Sequence, residues 1–198
     1  GIIALIICSR FPYRFFGSLT YPLLILALIF LTAILVTGLG YSAGGATRWF
    51  RLGNFSFQPS EFARFALIIY LAYSMNKKKD MLKNFYVGFL PHIMMLFMFT
   101  VLIIFQPDFG SVVILGALTW IMLFVGGVRL SYLIASLVLI LPAVYFFMIG
   151  ADYRLKRITS FLDPWQHSAN DGYQIVHSLM AFGTGGIWGA GIGNGYQK

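Results

Sequence analysis

Residues 85–105 (FYVGFLPHIMMLFMFTVLIIF) carry no charged side chain, and after the break Gln106-Pro107-Asp108-Phe109-Gly110 a second such run follows at 110–128 (GSVVILGALTWIMLFVGGV). Each has about the 20 apolar residues that a helix needs to cross the hydrocarbon core of a bilayer. Neither alternates polar and apolar residues with period 2, so these are helices and not the strands of a barrel. Outward from this pair, residues 21–39 and 130–151 have the same length and character. Residues 57–75 also have the length but contain Glu61 and Arg64, and residues 1–8 read as the end of a partial span. The expected fold class is all-α, a polytopic transmembrane helical bundle, with transmembrane helices over 1–151 and an extracytoplasmic loop starting at 152–198.

Composition excludes the alternatives. Of 198 residues 59% are hydrophobic and 10% charged, with mean hydropathy +0.82, whereas soluble domains carry roughly 25% charged residues. Twenty Phe and 11 Tyr among them are the opposite of a disordered composition. A single cysteine, Cys8, cannot close an internal disulfide, and with three scattered histidines it gives no zinc spacing. The net charge of +8 sits in short clusters between apolar runs and not along one amphipathic face, which points to membrane topology and away from nucleic acid. The chain opens at Gly1 inside an apolar run and stops at Lys198 inside a Gly-rich stretch, so a fragment cut at both ends is expected.

Alternating crossings put Arg10, Arg14, Lys77, Lys78, Lys79, Lys83 and Arg129 on one side and Arg48, Arg51, Arg154, Lys156, Arg157 and Lys198 on the other. The first set lies in compact loops near the span ends, where the positive-inside rule acts, and is assigned to the cytoplasm. Residues 40–56 and the tail from 152 onward then face outward, and the outward cations need another explanation.

Three places stand out for chemistry. Gln58-Pro59-Ser60-Glu61 has the form of a helix start, with Pro59 at the first position and Glu61 favoured by the helix dipole; Glu61 and Arg64, three apart, share a face and can pair. Such a pair is either a structural device near the outer interface or part of a pathway. Residues 106–110 must make a tight outward turn, Pro107 fixing the backbone and Gly110 permitting it, and Asp108 either caps the next helix or holds a carboxylate at the mouth of a cavity. The residues alone leave both questions open. His92, in mid-span, reads as a hydrogen-bonder within the bundle.

In the tail, Ile175, Val176, Leu179, Met180 and Phe182 cluster on one side of a short helix that either lies in the interface or packs on the bundle. The preceding Arg154, Lys156 and Arg157 meet lipid headgroups or serve as donors to an anionic phosphate substrate. Seven glycines between Gly183 and Gly195 match neither a Walker loop nor a dinucleotide fingerprint, although such backbone can form anion nests.

Taken in order, Gly45-Ala46-Thr47-Arg48-Trp49, Phe57-Gln58-Pro59-Ser60-Glu61-Phe62-Ala63-Arg64, Gln106-Pro107-Asp108-Phe109-Gly110, Tyr153-Arg154 through Phe161-Leu162-Asp163-Pro164-Trp165, and Gly172-Tyr173-Gln174 through Ser178-Leu179-Met180-Ala181 closely resemble the FtsW, RodA and SpoVE family, the bacterial shape, elongation, division and sporulation (SEDS) proteins. Thr159-Ser160-Phe161 and residues 178–183 look more like the division and sporulation branch.

The resemblance implies a ten-helix protein of the bacterial cytoplasmic (inner) membrane, a peptidoglycan glycosyltransferase that polymerises lipid II on the outer face during cell division. Its implied partners are a class B penicillin-binding protein and other divisome proteins. By the same likeness Arg48 and Trp49 lie in an external loop near the cavity, and Glu61 with Arg64 lines it, where many members have Glu with Lys. The catalytic Asp is expected in a Leu-Pro-Glu-x-His-Thr-Asp-Phe motif beyond Lys198. No residue present is then expected to be the general base, and residues 1–198 alone are expected to be inactive. Asp108 is assigned with Glu61, Arg64 and Trp49 to the cavity, and Arg48, Arg154, Lys156 and Arg157 to substrate binding. The likeness fixes no cofactor and leaves room for a divalent cation, Mg or Mn. A lipid II flippase and a membrane scaffold for the synthase are the rival functions.

Overall fold

The computed structural model describes residues 2–10, 12–37, 40–43, 46–52, 55–149, 161–166, 172–191 and 194–195. Helices α1 (Ile2–Arg10), α2 (Tyr13–Ser18) and α3 (Thr20–Val36) are followed by strands β1 (Gly40–Ala43), β2 (Ala46–Leu52) and β3 (Phe55–Phe57). Then come α4 (Pro59–Lys77), a 3₁₀ turn (Lys79–Met81), a π turn (Phe85–Phe89), α5 (Leu90–Ile104), α6 (Phe109–Gly126), α7 (Leu130–Ile149) and α8 (Tyr173–Gly185). The chain divides into two compact units, Gly1–Ala135 and Ser136–Lys198, with the boundary inside α7.

In the first unit α3, α4, α5 and α6 pack around a core that includes Leu31, Leu67, Leu71, Phe99, Ile103, Leu115 and Leu123. Large apolar side chains also cover the outside: Phe97 is 67% exposed and Val125 77%. Meanwhile Thr20, Ser60, His92, Gln106, Asp108, Ser111 and Thr119 are buried. Polar groups inside and hydrocarbon outside invert the soluble pattern and suit a bundle whose solvent is lipid. The helix Phe109–Gly126 and the continuous π and α segment Phe85–Ile104 are each long and apolar enough to span.

Local sequence accounts for the helix ends. Extended Gln58 precedes Pro59 at the first position of α4, with Glu61 in its first turn and Lys77 in its last, both favoured by the helix dipole. Asp108 caps α6, accepting from the Ser111 N–H, and α6 stops at Gly127, whose φ of 90° an L side chain rarely adopts. Asn84 accepts from the Tyr86 N–H at the entry of the π turn.

The structure corrects the expected loop at residues 40–56. It forms a three-stranded antiparallel sheet in the order β1-β2-β3, with Tyr41 opposite Trp49 and Phe50 opposite Phe57. Thr47, Trp49, Phe50, Phe55 and Phe57 favour strands, and Gly44-Gly45 and Gly53-Asn54 are two-residue hairpin signals that a reading by hydropathy passes over. The helix α4 starts at Pro59, where the Gln58-Pro59-Ser60-Glu61 motif places a helix start, and Phe57 belongs to β3. Phe57 joins Phe30 and Phe62 in a cluster of tilted and edge-on rings, centroids 5.2 to 6.1 Å apart, which fastens the sheet to α3 and α4. The tight turn before α6 is formed by Phe105 to Pro107, and Gly110 lies within the helix, where an added Cβ would meet nothing closer than Asp108 Oδ1 at 3.9 Å; its permissiveness is not needed there.

The far end of the unit is the cation-rich one. Tyr132 meets Phe85 edge-on and Phe89 at a tilt, centroids 5.3 and 5.8 Å apart, and Gly126 lies against Met75. These contacts join the end of α4 to the end of α6 and the π turn to the start of α7, the end of the unit that carries Lys77, Lys78, Lys79, Lys83 and Arg129.

In the second unit the short helix expected in the tail is α8. Of its apolar stripe Val176 is buried, while Leu179, Met180 and Phe182 are exposed.

Candidate functional site

Asp108 is the centre of the buried polar cluster, 3% exposed. Its Oδ1 accepts from the Ser111 N–H at 3.3 Å and faces Arg48 Nη1 at 3.4 Å. Its Oδ2 accepts from Ser111 Oγ at 2.7 Å, from Gln58 Nε2 at 3.3 Å and from Ser60 Oγ at 3.4 Å. Ser60 Oγ also accepts from Gln58 Nε2 at 2.9 Å. One carboxylate thus ties together β2, the start of α4 and the start of α6. Charge-assisted bonds of this kind are the strong ones, and an ionised carboxylate offers about four lone-pair sites. With those sites occupied by donors, Asp108 is not poised to take a proton from a substrate. Its role as helix cap and its role as hub coincide.

Arg48 reaches the same knot from β2, donating from Nη2 to the Pro107 carbonyl at 2.8 Å. Sequence placed it as an outward cation available to an anion. In the structure both Nη groups are engaged on the α5–α6 turn, because the buried Asp108 needs a counter-charge. Trp49, next along β2 and half-buried, pairs in register with Tyr41. Between β1 and β2 the register shifts, Tyr41 facing Trp49 and Ser42 facing Thr47, so Arg48 is the extra residue of a bulge, a device that re-aims a side chain out of strict alternation.

Glu61 and Arg64 pair at 2.9 Å, with the Glu61 side chain 53% exposed and that of Arg64 24%. The Nε groups of Arg48 and Arg64 are shut from solvent with no acceptor among the described residues. Arg154, Lys156 and Arg157 lie outside the described residues. No group of three or more His, Cys, Asp or Glu able to hold a metal occurs among the described residues. The carboxylates that are present at this site do not fit the expected divalent cation, since Asp108 faces hydrogen-bond donors and a guanidinium and Glu61 faces Arg64.

Sequence reading passed over Gln58, Ser60, Ser111 and Gln106 as participants. Gln106 is buried and donates from Nε2 to the Leu31 carbonyl at 3.1 Å, fixing the turn to α3. The available signal was their polarity at the edges of apolar runs. His92 donates from Nδ1 to the Gly88 carbonyl at 2.7 Å, one turn back, and not to another helix; its Nε2 is buried without a partner among the described residues.

The family model described as cell cycle protein, FtsW/RodA/SpoVE, matches residues 1–198. The chain belongs to the FtsW, RodA and SpoVE family. A probable peptidoglycan glycosyltransferase FtsW of Geobacter metallireducens is 41% identical over the whole chain, which covers 53% of that protein. The one of Haemophilus ducreyi is 36% identical, again over the whole chain and 49% of its own length. The chain therefore spans about half the length of these relatives. Among solved structures, one titled as the structural coordination of polymerization and crosslinking by a peptidoglycan synthase complex superposes with a TM-score of 0.67 at 27% identity. That match covers 94% of this chain and 55% of the other. Rod shape determining protein RodA of Thermus thermophilus shares the fold, with a TM-score of 0.58 at 23% identity over 91% of this chain and 60% of that one. The FtsW/RodA/SpoVE membership makes this a helical membrane protein, in accord with its apolar exterior.

Proposed function

We propose that the protein is a peptidoglycan glycosyltransferase that polymerises lipid II on the outer face of the bacterial cytoplasmic membrane, working with a class B penicillin-binding protein. The observation that carries this reading is the 41% identity, across every part of the chain, to a protein named as that enzyme. In multi-pass topology the sheet, the Asp108 cluster and residues from 152 onward face outward, and Lys77 to Lys83 face the cytoplasm, in keeping with the positive-inside rule.

The reaction is attack by an acceptor sugar hydroxyl on the anomeric carbon of the lipid-linked glycan, with undecaprenyl pyrophosphate leaving. A positioned carboxylate takes the hydroxyl proton, a contribution of about 100- to 10,000-fold. The resemblance puts that carboxylate beyond Lys198, and the donor-saturated state of Asp108 agrees with giving it another task. Asp108 and Arg48 position the sheet against the helix ends, which preorganises the outward mouth. Glu61 and Arg64 contribute an accessible carboxylate and a guanidinium with an uncommitted Nε. Arg154, Lys156 and Arg157 are the proposed donors to the leaving pyrophosphate.

The test supplies lipid II to the purified full-length protein with its partner synthase. Glycan strands are expected, and none from residues 1–198 alone. Lipid II flipping without polymer would overturn this reading in favour of a transporter.

A further inference from the structure

At the opposite end of the bundle from the Asp108 cluster, α2 and α4 enclose an open cleft of about 790 Å³. One wall is a stripe of α4: Phe65, Ile68, Ile69, Ala72 and, at the end, Asn76. The spacing 3, 1, 3 and 4 keeps all five on one helix face. At 1.5 Å per residue the stripe is about 16 Å long, close to half of the roughly 30 Å hydrocarbon core. Arg14 lines the same cleft from α2, exposed and without a carboxylate partner among the described residues.

The cleft is built and not incidental. A Cβ on Gly17 would come within 3.2 Å of the Tyr73 ring, so the absence of a side chain lets α2 close on α4 at this point. Tyr73 is held edge-on by Tyr21, centroids 6.2 Å apart, and Lys77 Nζ lies 5.9 Å from the centre of the same ring. A second cation is thereby kept beside the mouth. Among the described residues no acidic side chain lines the cleft.

We propose that this cleft binds one anionic phospholipid, its phosphate on Arg14, Asn76 and Lys77 and an acyl chain along the Phe65 to Ala72 stripe. A free phosphate leaves the apolar wall uncovered. A further helix packed on the same face has to bury the Arg14 guanidinium, which is costly inside a membrane. A headgroup instead pairs it, and basic pockets at the ends of transmembrane helices suit such lipids. Neither polymerisation nor flipping enters the argument, so the site stands or falls independently of the proposed enzyme function.

The experiment is native mass spectrometry of the full-length protein released from nanodiscs of phosphatidylglycerol and phosphatidylcholine. Preferential retention of one phosphatidylglycerol is expected, lowered about fivefold by Arg14→Gln and largely kept by Arg14→Lys. Ile69→Trp, which fills the apolar wall without touching a charge, is expected to expel the lipid and covers the case in which Arg14→Gln does not fold. Equal retention of both lipids overturns the proposal, as does retention unaffected by Arg14→Gln or Ile69→Trp. A photocrosslinker at Ile68 is expected to capture lipid; capture of another segment of the protein overturns the site.

Discussion

At the Pro59 end of α4 a buried carboxylate is held by donors from Gln58, Ser60, Ser111 and Arg48, while at the Lys77 end Lys77, Lys79 and Lys83 stand exposed near an open cleft. The two ends face similar media but treat charge differently. A carboxylate drawn inside must be matched donor for donor, since each unmet bond has a desolvation cost. A cation at the headgroup level needs no protein partner, because water and lipid phosphate supply one. The consequence is a rigid, interlocked mouth at one end and an adaptable surface at the other.

The strongest way to break this contrast is Asp108→Ala. It uncaps α6, strands the Arg48 guanidinium and removes the common acceptor of Ser60, Ser111 and Gln58, for an expected loss of about 2–4 kcal/mol. Thermal unfolding of the full-length protein in detergent measures it. Arg48→Gln is expected to cost less, about 1–2 kcal/mol, because its side chain is 28% exposed. In the double variant the two losses should fall short of their sum, which a double-mutant cycle reads directly. Strict additivity would mean that the sheet is not held through this pair.

At the cation-rich end the corresponding test is Gly88→Ala. An added Cβ there overlaps the Leu82 backbone, which cannot give way as a side-chain tip can. The π turn should then rearrange, with an expected loss of about 1–3 kcal/mol and displacement of the Gly88 carbonyl from His92. A melting temperature unchanged by Gly88→Ala would show that this end is as adaptable in its backbone as in its charges.

Glu61→Gln sharpens the comparison with the smallest effect on stability. Half-exposed and paired to a neighbour one turn away, Glu61 should contribute under about 1 kcal/mol to folding. Its loss is nevertheless expected to lower lipid II polymerisation by the full-length protein more than a substitution on the lipid-facing side. Full activity would leave Glu61 with the helix start alone.

Much of the candidate site was legible as separate residues. The Glu61 and Arg64 pairing followed from a spacing of three, and the Asp108 cap followed from its place just before an apolar run. What escaped was their company. Gln58, Ser60 and Ser111 are ordinary polar residues at helix starts, and only the packing of α4 beside α6 makes them partners of one carboxylate. Nothing in the strand of Arg48 announces a partner 60 positions on, so by sequence it is one more outward cation.

The sequence by itself determined that the chain is a bundle of apolar helices and to which family it is similar. These follow from local quantities: the length of hydrocarbon runs, the spacing of charges along 3.6-residue turns and short motifs in fixed order. Only the tertiary structure decided that residues 40–57 fold as a sheet, that Arg48 closes on Asp108 and that α2 and α4 leave a cleft beside Arg14. Those outcomes depend on which helix faces meet, and lipid-exposed helices that are apolar all round carry little amphipathic pattern from which to read that choice.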